Sequence, residues 1–244
     1  QFSQESEFAY ELDEKNVCVL DFAKWKFGNG EWQPEEEILR VDIKIRDMVG
    51  IEHRGGNMLQ PWYAKKYCND AYGNLEIEYE FYADILPKGD LFLAGERPEF
   101  CQFYLNGTRL ECVDPDDFWI DVCFKKMVIP AGLIRKGRNV VTYKTLFRRT
   151  TNIEALYLVG DFGVRLEGNK RILDRRPERI GFKNLKEYNM PFYTGQITYH
   201  IPNDVFAASK NADKIYLKID GYRGSLLKIF AVGECEDHAQ VLAW

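Results

Sequence analysis

The stretch "LEIEYEFYA", residues 75–83, decides the fold class. Leu75, Ile77, Tyr79 and Phe81 alternate with Glu76, Glu78 and Glu80. Successive side chains of a strand face opposite ways, so this period of two marks a strand with one apolar face buried and one acidic face wet. The pattern repeats downstream. In "GDLFLAGERPEFCQFYLNGTRLECV" (89–113), Asn106-Gly107 separates two apolar runs. That pair predicts a tight hairpin, because a type I′ turn needs positive φ at both central residues. Asn106-Gly107-Thr108 is also a glycosylation sequon, but the hairpin is the favoured reading. "FWIDVCFKKMVIP" (118–130), "NVVTYKTLF" (139–147) and "ALYLVGDFGVRL" (155–166) are further strand-like runs. No stretch shows a long 3.6-residue period. Short strands at this spacing predict an all-β sandwich rather than alternating βα units.

The character changes at "EGNKRILDRRPERIGFKNLKEY" (167–188), which is polar and basic with Pro177 inside. It reads as a linker that docks on a neighbour. A second strand series begins in "PFYTGQITYHIP" (191–202) and "KIYLKIDGYRGSLLKIFAVGE" (214–234).

The totals exclude several classes. The 244 residues carry 33 basic and 38 acidic side chains, a net charge of −5, which argues against a dedicated nucleic-acid binder. No apolar run approaches the roughly 18 residues of a membrane helix, and no signal peptide is visible. The six cysteines are Cys18, Cys68, Cys101, Cys112, Cys123 and Cys235. None forms a CxxC pair, so no zinc site is expected. Buried free thiols are favoured, with at least one disulfide as the alternative.

Chemistry is sparsely signalled. A glycosidase needs two carboxylates about 5–10 Å apart, a condition that abundant acids satisfy anywhere on paper. "DPDD" (114–117) offers oxygens for a calcium ion, though a solvated turn is the favoured reading. His53, His200 and His238 lie far apart, and no G-x-S-x-G elbow or glycine-rich phosphate loop occurs. No catalytic residue, metal or cofactor is expected. Aromatics are the other candidate. "MLQPWYAKKYCNDAYGN" (58–74) sets Trp62, Tyr63, Tyr67 and Tyr72 among Gln60, Asn69, Asp70 and Asn74, with no clear period. That is a loop composition. Trp62, Tyr63 and Tyr72 are the candidate carbohydrate-binding residues, because sugar C–H faces stack on rings and hydroxyls need polar partners. The competing reading makes these rings a cap on the core. Trp25 and Trp32 flank the turn at Gly28–Gly30 and are expected to pack across a hairpin, and Trp119 is expected in the core.

"LIRKGRNVVTYKT" (133–145), with its Lys-Gly-x-Asn before an alternating strand, resembles the late strand of galactose-binding-like jelly rolls. "NVCVLDFAKWKFGNGEW" (16–32), "AGERPEFCQFYLNGTRL" (94–110), "ALYLVGDFGV" (155–164) and "MPFYTGQITYHI" (190–201) look like the region after the catalytic barrel in large bacterial glycosidases, family-2-like or α-L-rhamnosidase-like. The resemblance runs from about Asn16 to Trp244. It implies a galactose-binding-like jelly-roll β-sandwich over 1–168, a linker over 169–186, and the first half of a second jelly roll over 187–244. Its own Lys-Gly-x-Asn strand would follow Trp244, and the first residue is Gln1. The chain therefore reads as a fragment of a larger protein, unless the last strands complete the first sandwich. The implied function is non-catalytic: binding carbohydrate, or acting as a scaffold, beside the catalytic domain of the same parent protein. Neither nucleic acid nor membrane is an expected partner. A purely structural module and a self-contained glycosidase are the rivals. Compartment stays open, with the unpaired cysteines tilting slightly to the cytoplasm.

Overall fold

The structure is a computed structural model that describes residues 6–202, 224–232 and 239–243. It separates into two compact units, residues 1–200 and 201–244. In the first unit the chain opens with β1 (Phe8–Leu12), β2 (Asn16–Leu20), β3 (Phe22–Phe27) and β4 (Gln33–Glu37), followed by helix α1 (Ile38–Val49) and helix α2 (Pro61–Tyr67). The central run is β5 (Ala71–Ala83), β6 (Lys88–Glu96), β7 (Gln102–Leu105), β8 (Thr108–Leu110), β9 (Phe118–Trp119), β10 (Asp121–Val128), β11 (Gly137–Arg148) and β12 (Leu156–Asp161). The unit closes with β13 (Gly163–Glu167), β14 (Lys170–Asp174), β15 (Arg179–Ile180) and β16 (Ile197–His200).

Two sheets make the sandwich. One has the order β2-β12-β6-β10-β9; the other runs β13-β14-β5-β11-β7-β8, with β3 joining on β5 and β4 on β3. Pairing is antiparallel except for the short parallel contact of β14 with β5. Leu20, Leu93, Met127 and Leu158 of the first sheet share one core with Leu75, Ile77, Phe81, Phe103 and Phe147 of the second. This is sheet-on-sheet packing, and the chain is an all-β sandwich. Each such side chain contributes about 1.5–3 kcal/mol by leaving water.

β5 behaves as its period of two requires. Leu75, Ile77, Tyr79 and Phe81 are buried, opposite Thr145, Tyr143, Val141 and Asn139 of β11. On the outer face the acids are answered by cations from neighbouring strands. Glu76 meets Lys26 and Lys144 at 3.5 and 3.2 Å, and Glu80 meets Lys24 and Arg138 at 3.1 and 2.6 Å. Opposite charges across strands fix the register that the apolar face demands.

The Asn106-Gly107 turn forms as expected, with φ of 49° and 85° between β7 and β8. Its side-chain amide is already engaged. Asn106 Nδ2 donates to the Leu133 carbonyl at 2.9 Å and to Asn139 Oδ1 at 2.8 Å, while its Oδ1 accepts from the Val140 N–H. Asn139 is fully buried and donates to the carbonyls of Arg135 and Gly137. The Asn of "Lys-Gly-x-Asn" thus clasps the 133–139 loop to the hairpin turn, which explains the motif without any ligand.

Several expectations fail. α1 is a regular helix that periodicity did not disclose. Ile38, Val41, Asp42, Ile45 and Arg46 are its buried face, and the two polar members at positions 42 and 46 obscure the apolar stripe. Glu37 caps its start through the Leu39 and Arg40 N–H groups, and Gly50 closes its end at φ 69°. The 58–74 segment is not a loop: it contains a 3-10 turn at Gly56–Leu59, α2, and the start of β5. The 167–188 segment is not a bare linker, since β14 lies in the larger sheet and β15 pairs with β1. β16 also pairs with β1, and Ile180, Tyr188, Met190 and Tyr193 form a small second core there. Trp25 is core, but Trp32 is 41% exposed beneath the Lys26 ammonium rather than packed across the hairpin. Trp119 lies outside the core and stacks on Tyr157 and Phe124, on the outer face of the five-stranded sheet. Of the described cysteines, all free, only Cys18 is buried. Cys235 lies outside the described residues.

In "DPDD", Asp114 Oδ1 accepts from the Asp116 N–H and Asp117 pairs with Lys126 at 2.7 Å, a solvated turn. In the second unit, β17 (Ile229–Val232) and β18 (Ala239–Ala243) form an antiparallel hairpin. The strand expected at Ile215–Ile219 falls outside the described residues. Among the described residues, no helix is long and apolar enough to cross a membrane.

Candidate functional site

The site is built outward from a buried arginine. Arg46 on α1 is fully buried, and its Nε donates to Asp42 Oδ2 at 2.7 Å, one turn away. Its remaining nitrogens donate to the carbonyls of Arg149 and Thr151 at 3.1 and 2.8 Å, and its guanidinium lies 5.5 Å from the Phe147 ring centroid. A buried charge must be paired and hydrogen-bonded to persist, and here the partners are backbone carbonyls of the β11–β12 connection. α1 thereby holds that connection in place at one end of the sandwich. Arg54 adds a second tether, donating to the Ile153 carbonyl at 3.0 Å and pairing with Glu154 at 2.7 Å.

The connection so fixed presents Arg149. Its guanidinium pairs with Glu52, donates to Asp70 Oδ2 and to the Tyr72 hydroxyl at 3.2 Å each, and lies 4.5 Å from the Tyr67 ring centroid. Tyr63 donates its hydroxyl to Glu52 Oε1 at 2.5 Å. That bond, together with Arg149, holds the Glu52 carboxyl at about 2. Burial, then the neighbouring Glu52, pushes the Tyr63 phenol up to about 12, so it stays a donor. Loss of water works against the Arg149 charge, but Tyr72, Glu52, Tyr63 and Asp70 outweigh it and raise its pKa.

The three candidate residues therefore take different places. Trp62 is 55% exposed on α2, with its indole edge-on to Tyr63 at 5.7 Å. Tyr63 is buried against Tyr67, ring centroids 4.6 Å apart. Tyr72 is half-buried at the start of β5 and meets the others through Arg149, with its hydroxyl donating to Asp70 at 3.3 Å. Only Trp62 offers an open ring face; Tyr63 and Tyr72 hold the floor behind it. Sequence reasoning missed Glu52, Arg149 and the supporting Arg46. Arg149 sits in "RRTT", directly after an alternating strand, where a charged loop signal was available; Arg46 gave none, because burial of an arginine is set by its distant carbonyl partners.

Chemically, the site couples an exposed indole to a rigid ionic network. General acid catalysis of glycoside cleavage needs a carboxylic acid with a raised pKa, and Glu52 is driven the other way. Among the described residues, no group of three or more metal-ligating side chains converges. Comparison with known proteins gave no matching family model and no matching curated protein.

Proposed function

We propose that this chain is a non-catalytic accessory region that binds carbohydrate through the Trp62 face for the catalytic domain of a bacterial glycoside hydrolase. A galactose-binding-like jelly roll within the sandwich, and its parent enzyme, belong to the same proposal and rest on the resemblance of the sequence. The observation that carries the binding reading is the Trp62 indole, open to water yet braced by Tyr63 and bordered by fixed donors and acceptors. A pyranose lays its C–H face on such a ring, and its hydroxyls take the fringe of Arg149, Asp70 and Glu52.

One observation favours the rival structural reading. Phe118, Ile120, Val122 and Val128 are exposed along the β9–β10 edge, a surface suited to packing against a partner domain. Affinity separates the two. Trp62→Ala should weaken sugar binding by about 1–3 kcal/mol while leaving stability within about 0.5 kcal/mol. Unchanged affinity in calorimetry would remove Trp62 from the site.

A further inference from the structure

The far end of the sandwich carries a cleft of about 720 Å³. β5 and β11 run antiparallel, with Ala83 opposite Gly137 at this end and Ala71 opposite Arg148 at the other. The cleft therefore lies a full strand length from Trp62. Its wall takes Leu86 and Lys88 from the β5–β6 turn, Lys136 from the residue before β11, Phe162 from the end of β12, and Arg175 and Arg176 from the chain after β14. That volume falls in the range of small-molecule sites, about 300–1,000 Å³.

The charges in it are unevenly matched. Asp161 is taken by Arg176 at 2.8 Å, and Asp84 by Arg165 at 2.6 Å. Arg176 also lies over the Tyr10 ring at 5.5 Å, and the Tyr10 hydroxyl donates to the Pro177 carbonyl at 2.8 Å, so this wall is held in position. Lys88, Lys136 and the side chain of Arg175 have no ion pair among the described residues, and Glu178 is the acid left to oppose them. An acidic chain of net charge −5 thus keeps a locally positive cleft. Unpaired like charges gathered at one opening repel each other and are relieved by an anion. Leu86, Ile85 and buried Phe162 give the same cleft an apolar side.

We infer that this cleft is a second binding site, for a small organic anion whose carboxylate or phosphate meets Lys88, Lys136 and Arg175 and whose body rests on Leu86 and Phe162. The inference stands apart from the Trp62 reading. Its test is calorimetric titration of the whole chain with glucuronate, glucose 6-phosphate, glucose and inorganic phosphate. The two acidic sugars tell a carboxylate ligand from a phosphate one. Saturation by at least one of them, with none by glucose, is the expected result. Affinity should fall as salt rises from about 0.01 to about 0.15 M, because screening shortens from about 30 to about 8 Å. Lys88→Gln with Lys136→Gln should weaken binding roughly tenfold, the loss of one charge-assisted contact. Trp62→Ala should leave it unchanged. Both lysines are exposed, so the double variant should melt as the parent does. Silence from both acidic sugars, or binding indifferent to the lysine changes, overturns the inference. Equal affinity for inorganic phosphate overturns the part given to the apolar wall.

Discussion

Arg46 shows how one residue decides a site it does not touch. Its charge is buried with Asp42, whose carboxyl is pushed up by burial against the pull of Arg46. Arg46→Met leaves that acid unanswered and frees the carbonyls of Arg149 and Thr151. The expected cost is about 3–5 kcal/mol in urea unfolding, and adding Asp42→Leu should recover much of it. A loss below about 1 kcal/mol would contradict the role given to the pair. Glu52 makes a second residue-level claim. Its carboxyl ionises at 4.5 in an unfolded chain and at about 2 in the fold. The depressed value means that its contribution is complete above the unfolded pKa and is lost as pH falls through the folded one. Carboxylate NMR shifts should give a midpoint near 2 for Glu52, moving toward 4.5 in Tyr63→Phe. A wild-type midpoint near 4.5 would break the Tyr63–Glu52–Arg149 network.

Elements were legible in proportion to how local their causes are. Asn139 illustrates a local device with a measurable weight: Asn139→Ala removes the acceptor of Asn106 Nδ2 and of the Arg135 N–H. Leaving those groups unsatisfied should cost about 1–3 kcal/mol in guanidinium unfolding, and no loss would mean that the clasp is idle. The hairpin it supports could be read from Asn106-Gly107 alone, because positive φ is a property of two residues. β5 could be read because alternation is a property of nine. α1 could not, since its buried face includes Asp42 and Arg46, which look like surface residues until Phe147 and two carbonyls are brought to them by the fold. α2 is only seven residues long, too short for its period to stand out between Pro61 and Tyr67. The same limit applied to Trp119, whose strand position was evident but whose outward face depends on which sheet it joins.

At the scale of the whole molecule, the sandwich divides its thiols sharply. Cys18 is fully buried between the sheets and pushed up to about 12 by burial, while Cys68 is exposed beyond α2. A thiol reagent should modify Cys68 in the folded chain and reach Cys18 only on unfolding, as read by mass spectrometry. Equal rates at the two would contradict the packing of the five-stranded sheet on the larger one. The architecture as all-β was open to sequence reasoning because it needs only many short alternating runs. The division into parts was not: β14 and β15 sit in polar sequence, and their partners β5 and β1 lie far back in the chain. The site shares that history, with Trp62 visible in composition and Arg149 fixed only by tertiary contacts. The account's central claim is that this site takes sugar. The most direct measurement is titration of the folded chain with monosaccharides and plant-wall oligosaccharides, followed by tryptophan fluorescence and calorimetry. A saturable response to one sugar class, lost in Trp62→Ala, is the expected result; silence across the panel from a folded chain would contradict it.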